Sequence, residues 1–107
     1  YIVSLGYNGL PEGIGNEARI LSDRELKYET IIHGEINAIA TAGRSVRGCT
    51  LYTYPFLPCS RCASQIIQYG IHRVVSYVNY EARWQRSIML SEELFLECDI
   101  EVVQYEN

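Results

Sequence analysis

Two rhythms alternate along this chain. Short runs rich in β-branched and aromatic residues read as strands: Tyr1 to Leu5, Cys49 to Tyr54, Arg73 to Val78 and Ile100 to Tyr105. Between them the apolar positions fall at helical spacing. Ile36, Ala38, Ile39, Ala40 and Ala42 suit a helix that starts at His33 and is stopped by Gly43. A second helix, from about Cys59 to Tyr69, carries the stripe Cys62, Ala63, Ile66 and Ile67 and ends at Gly70. Residues 81 to 97 form a third, with Trp84, Ile88, Leu94 and Phe95 as its core positions and Ser91 as the start of a new segment. Asp23 opens a short helical turn within residues 23 to 32. Pro55 and Pro58 break the second strand and restrict the loop after it. Strands and helices in alternation predict an α/β layered domain. The last two strands, joined through a helix, are predicted to run parallel with a right-handed crossover.

Residues 6 to 16 interrupt this pattern with four glycines and a proline. Such a segment is a loop, and glycine at this density lets backbone approach a neighbour closely. The whole chain, 107 residues with 48% hydrophobic, suits a single domain with one modest core. Its net charge of −4 disfavours a nucleic-acid partner, although one or two local cations can still hold a small anion. No apolar run reaches the length of a membrane span, and no signal peptide is visible. Of the four cysteines, two form a C-x-x-C. That usage predicts a reducing, cytoplasmic setting, with Cys59 and Cys62 as ligand thiolates and Cys49 and Cys98 as buried free thiols.

The chemistry concentrates in His33-Gly34-Glu35 and Pro58-Cys59-Ser60-Arg61-Cys62. Zinc takes thiolate and imidazole ligands in a tetrahedron, and three protein ligands leave a position for water. Two cysteines three apart at a helix start share a face. The free N–H groups and positive end of that helix favour the thiolates. His33 supplies the third ligand. Glu35, in the same first turn, lies near the metal without having to bind it, and is placed to move a proton from the activated water to a ring nitrogen and then to a leaving amine. A structural zinc site would recruit a fourth Cys or His, and neither Cys49 nor Cys98 has the spacing to volunteer. His72, at a strand start, reads as structural.

The H-x-E and P-C-x-x-C pair is similar to the signature of zinc nucleobase deaminases. The chain resembles the cytidine and deoxycytidylate deaminase superfamily, most closely its deoxycytidylate (dCMP) branch. Three stretches carry the resemblance: Gly6-Tyr7-Asn8-Gly9-Leu10-Pro11-Glu12-Gly13, His33-Gly34-Glu35-Ile36-Asn37-Ala38-Ile39, and Gly48-Cys49-Thr50-Leu51-Tyr52 through Cys62. It implies a three-layer α/β/α fold with a five-stranded mixed sheet, in which Tyr1 to Leu5 corresponds to the second strand. The family's first helix and first strand would then be missing here, and upstream residues or another chain are expected to fill that gap. It further implies a Zn2+ cofactor on His33, Cys59 and Cys62, and Glu35 as the proton shuttle. Asn8 falls where the family contacts the sugar, and Gly34 where its backbone holds the pyrimidine. The implied reaction converts dCMP to dUMP and ammonia by attack of zinc-activated hydroxide on the pyrimidine C4. The same chemistry on a nucleoside, a free base or a tRNA adenosine, and a non-catalytic zinc module, remain the alternatives. Relatives are often homo-oligomers, and many respond to dCTP and dTTP.

Three features depart from the family pattern. Gly34 replaces the usual alanine, a small change expected to be tolerated. Five residues, Thr53 to Leu57, stand where four usually precede Pro-Cys, in the loop expected to wall the base pocket. Glu12 stands where many relatives carry a basic residue, which leaves Arg19, Arg24, Lys27 and Arg61 as alternative phosphate partners.

Overall fold

The structure is a computed structural model that describes residues 1–106. The chain divides into two compact units, Tyr1–Ala42 and Gly43–Asn107. The first holds three helices: α1 (Glu17–Leu21), α2 (Arg24–Thr30) and α3 (Gly34–Thr41). α1 falls at the edge of the predicted loop. Asn16 starts it, its side chain accepting from the Arg19 N–H at 3.2 Å; an asparagine followed by an acidic first turn was the available signal. Asp23 caps α2 in the same way, accepting from the Leu26 N–H at 3.2 Å. α3 stops where predicted, with Gly43 at φ +66°.

The strand expected at Tyr1 to Leu5 does not form. A strand exists only where its N–H and C=O groups meet a partner ladder, and these residues pair with no strand among those described. Ser4 and Leu5 instead meet the end of α3. The Ser4 and Thr41 hydroxyls lie 2.9 Å apart, and Thr41 Oγ1 reaches the Leu5 carbonyl at 3.4 Å.

The glycine-rich loop is pinned to the start of α3. Gly9 and Ile32 form an antiparallel bridge, with N–H to O distances of 3.0 and 2.7 Å. Asn37 donates from Nδ2 to the Tyr7 carbonyl at 2.7 Å. Gly6 makes the close approach that the glycine density predicts, because a Cβ there would overlap Gly34 O and Ala38 N.

The second unit runs β1 (Thr50–Tyr52), α4 (Ser60–Gln68), β2 (Arg73–Tyr77), α5 (Ala82–Glu97) and β3 (Glu101–Tyr105). All three strands are parallel, in the order β1-β2-β3. The sheet of the described residues is therefore parallel and three-stranded, not mixed with a fourth strand from Tyr1 to Leu5. Successive right-handed crossovers in that order put both helices on one face, and α4 packs on α5. The core of this unit includes Leu57, Ala63, Ile66, Val74, Ile88 and Phe95, all buried. Burial of each large side chain among them contributes about 1.5–3 kcal/mol. α5 passes through Ser91 without a break. The serine is fully buried, and its hydroxyl donates to the Pro58 carbonyl at 2.7 Å. A tertiary acceptor thus removes the competition with helix that made Ser91 look like a boundary.

On the opposite face, Tyr52, Val75 and Val103 align in register, as do Tyr77 and Tyr105. Tyr54 stands edge-on to Tyr77, ring centres 5.9 Å apart. Phe56 leans on Trp84 at 5.9 Å, and Leu57 is buried, so part of the long Thr53–Leu57 loop is used in this unit's own packing. Tyr80, in the loop before α5, donates to Glu106 at 2.6 Å. That hydrogen bond, with burial and the Glu106 charge behind it, raises the phenol above its usual 10.0.

Cys49 and Cys98 are free thiols, but their expected burial is not found. Cys49 is half-buried, and Cys98 is exposed. Cys98 lies at the C-cap of α5, where the chain leaves the packed stripe beside exposed Leu96, Glu97 and Asp99. No helix among the described residues is long and apolar enough to cross a membrane.

Candidate metal centre

His33 and Cys59 occupy the same position in two different helices. His33 is the N-cap of α3, in extended backbone at φ −70° and ψ 153°. Its carbonyl opens the helix by accepting from the Asn37 N–H at 3.0 Å. Cys59 is the N-cap of α4, at φ −64° and ψ 163°, and its carbonyl accepts from the Ala63 N–H at 2.9 Å. An N-cap side chain ordinarily accepts a hydrogen bond from the first turn, yet neither His33 nor Cys59 makes such a bond. In each helix a distant side chain satisfies the first amide, which precedes the amides an N-cap side chain reaches. Asn8 Oδ1 accepts from the Gly34 N–H at 2.7 Å, and Ser87 Oγ accepts from the Ser60 N–H at 3.0 Å.

Cys62 follows three positions after Cys59, in the first turn of α4, and is buried. Glu35 lies in the first turn of α3, two residues after His33, and is half-buried. His33, Cys59 and Cys62 form a group able to hold a metal ion, each offering one ligand atom, with these atoms all within 4.8 Å of one another. Tetrahedral zinc with ordinary bond lengths sets its sulfurs about 3.8 Å apart and sulfur and nitrogen about 3.6 Å apart. One imidazole and two thiols at this spread fit zinc in both donor type and reach. The sequence places these three as ligands, and the structure brings them together. His72 stays out of the group: its side chain is exposed, while its backbone pairs with Cys49 and Glu101 at 3.2 and 3.0 Å.

Asn8 and Gly34, both read as substrate contacts, are bonded to each other. A Cβ on Gly34 would stand 3.0 Å from Gly6 O, so alanine fits less freely here than the sequence comparison suggests. Among the alternative cations, Arg24 is engaged with Tyr28, with Nε 3.2 Å from the hydroxyl and the guanidinium 5.4 Å from the ring centre. Arg61 lies in the first turn of α4, between the two thiols in sequence.

Residues 1–78 match the model of the cytidine and deoxycytidylate deaminase zinc-binding region. The chain belongs to this family of zinc-dependent deaminases. The match runs through both compact units. One relative, described as an uncharacterized deaminase in the luxG 3′ region of Aliivibrio fischeri, is 39% identical over 94% of this deaminase chain and 69% of its own length. The Homo sapiens deoxycytidylate deaminase is 40% identical over 69% of this chain, which spans 44% of that relative's length. The Candida albicans cytosine deaminase is 33% identical over 94% of this chain and 69% of its own length.

The sequence reading missed Ser87 and Ser91. Their spacing of four beside Ile88 and Phe95 puts them on the inward face of α5, and that inward register was the signal that their hydroxyls have protein partners.

Proposed function

We propose that residues 1–107 act as one zinc-dependent deaminase domain that converts dCMP to dUMP and ammonia. The observation that carries the reading is the His33, Cys59 and Cys62 group with an acid, Glu35, in the turn beside its histidine. Three protein ligands and a neighbouring carboxylate are the parts of a hydrolytic site rather than of a closed structural one. Zinc, when held by these three residues, supplies Lewis acidity and activates water as the nucleophile. Glu35 accepts the proton from that water as it adds to C4 of the pyrimidine. The same carboxyl delivers that proton to N3, then takes the remaining proton of the new C4 hydroxyl and passes it to the amine, so the C4 carbonyl forms, the C4–N bond breaks and ammonia leaves.

Gly34 and Asn8 bind and orient the substrate in this reading. A pyrimidine carbonyl that takes the Gly34 N–H replaces Asn8 Oδ1 as its acceptor. The Asn8 carboxamide is then released toward the sugar. Base and sugar recognition are thus linked through one exchanged hydrogen bond. The nucleotide assignment draws support from the deoxycytidylate deaminase relatives. A free base as substrate is the second reading, favoured by the cytosine deaminase relative that aligns along 94% of this chain.

Turnover on dCMP, CMP, deoxycytidine, cytosine and guanine separates them. Ammonia release fastest on dCMP is the expected result, whereas activity on cytosine with none on dCMP would replace the nucleotide assignment with the free-base one. Arg61→Ala is expected to raise KM for dCMP and not for deoxycytidine if that arginine meets the phosphate.

A further inference from the structure

Two hydroxyls on α5 hold the peptides on either side of Cys59. Ser87 Oγ accepts from the Ser60 N–H at 3.0 Å, and Ser91 Oγ donates to the Pro58 carbonyl at 2.7 Å. The serines are four apart and so lie one above the other on a single helix face. Ser91 is fully buried and Ser87 half-buried. Ser87 Oγ also lies 3.5 Å from Ser60 Oγ.

We propose that Ser87 and Ser91 are positioning residues for the metal ligands, locking the start of α4 so that the Cys59 and Cys62 thiols are held ready for the ion. The proposal rests on the metal reading above. Its first support is the capping pattern. The first amides of a helix need acceptors, and Cys59 does not bond them through its side chain as an N-cap normally would. Ser87 takes the first amide from another helix. Ser87 thereby ties the peptide that follows Cys59, the first of α4, to α5. Its second support is the Pro58 carbonyl. It precedes α4 and is held by Ser91 in the buried interior. A buried acceptor left without a donor carries a desolvation penalty and drives local rearrangement. Here that rearrangement would fall on the residue immediately before Cys59. Partners that orient metal ligands from outside the coordination sphere commonly change metal affinity by about 10- to 100-fold when removed.

The test measures zinc affinity of the full chain by competition with a chromophoric chelator, and the d–d and thiolate charge-transfer bands of the Co2+-loaded protein. The unaltered chain is expected to take up one zinc, and Cys59→Ser to lose it. Ser87→Ala is expected to weaken zinc binding by about 10- to 100-fold and to shift the Co2+ bands. Ser87→Thr keeps the acceptor oxygen and is expected to restore both. Ser91→Ala, which risks folding because of its burial, is expected to act in the same direction. Unchanged zinc affinity and bands in Ser87→Ala would overturn the positioning role alone. A lowered thermal midpoint of metal-free Ser87→Ala without loss of affinity would overturn it as well, by showing ordinary helix packing. If the unaltered chain took up no zinc, the metal reading itself would fall, and this inference with it.

Discussion

Glu35→Gln is expected to cut the deamination rate by about 10²- to 10⁴-fold while the protein keeps its zinc. Glutamine preserves the size and hydrogen-bonding reach of the side chain but cannot take up and release a proton. The α3 turn that carries it should be undisturbed, because Gln has a helix propensity close to that of Glu. His33, Cys59 and Cys62 are untouched, so metal content by atomic emission should stay at that of the unaltered chain. Ammonia release at saturating substrate, measured beside metal content, isolates proton transfer from metal loss. An unchanged rate would remove Glu35 from the chemistry, and loss of zinc would make it a ligand instead of a shuttle.

The second large effect is structural. Gly6→Ala should destabilise the protein by about 3 kcal/mol, the upper end for overpacking. The new methyl group would overlap Gly34 O and Ala38 N, both backbone atoms of α3. A flexible side chain can swing aside, but a helix backbone can yield only by shifting as a unit. That helix carries Glu35 and is capped by His33, so activity should fall further than stability alone explains. Gly15 supplies the control. A Cβ there meets nothing within 4 Å, and Gly15→Ala is expected to change stability by no more than about 0.5 kcal/mol. Urea midpoints of the two variants check the contrast; equal midpoints would show that the Gly6 contact is readily relaxed.

These cases show what the sequence makes legible. Helix ends marked by local chemistry, such as Asp23 before α2 and Gly43 and Gly70 after α3 and α4, fall within a residue of expectation. The His33, Cys59 and Cys62 group was legible because zinc demands particular donors at particular spacings. Features that depend on a distant partner were not. Tyr1 to Leu5 has every local mark of a strand and lacks a ladder among the described residues. Ser91 has the local mark of a break and sits inside a continuous helix, because its hydroxyl finds Pro58. Gly6 was recognisable as a point of close approach, but not what it approaches. Local rules report propensity; partners thirty residues away decide whether it is realised.

The choice of cysteine at the N-cap of α4 sets stability against function. Serine is among the preferred residues for that position, and a good N-cap is worth about 1 kcal/mol over a poor one. Metal-free Cys59→Ser is therefore expected to melt at a higher temperature than the metal-free unaltered chain, though it can no longer complete the site. Scanning calorimetry of both proteins in chelator tests this, and an equal or lower midpoint would count against it. A screen for thermal resistance in the absence of zinc would then enrich inactive variants at residue 59, whereas the same screen with zinc present would retain the cysteine. The metal that performs the chemistry would also be what keeps a poor helix cap in place under selection.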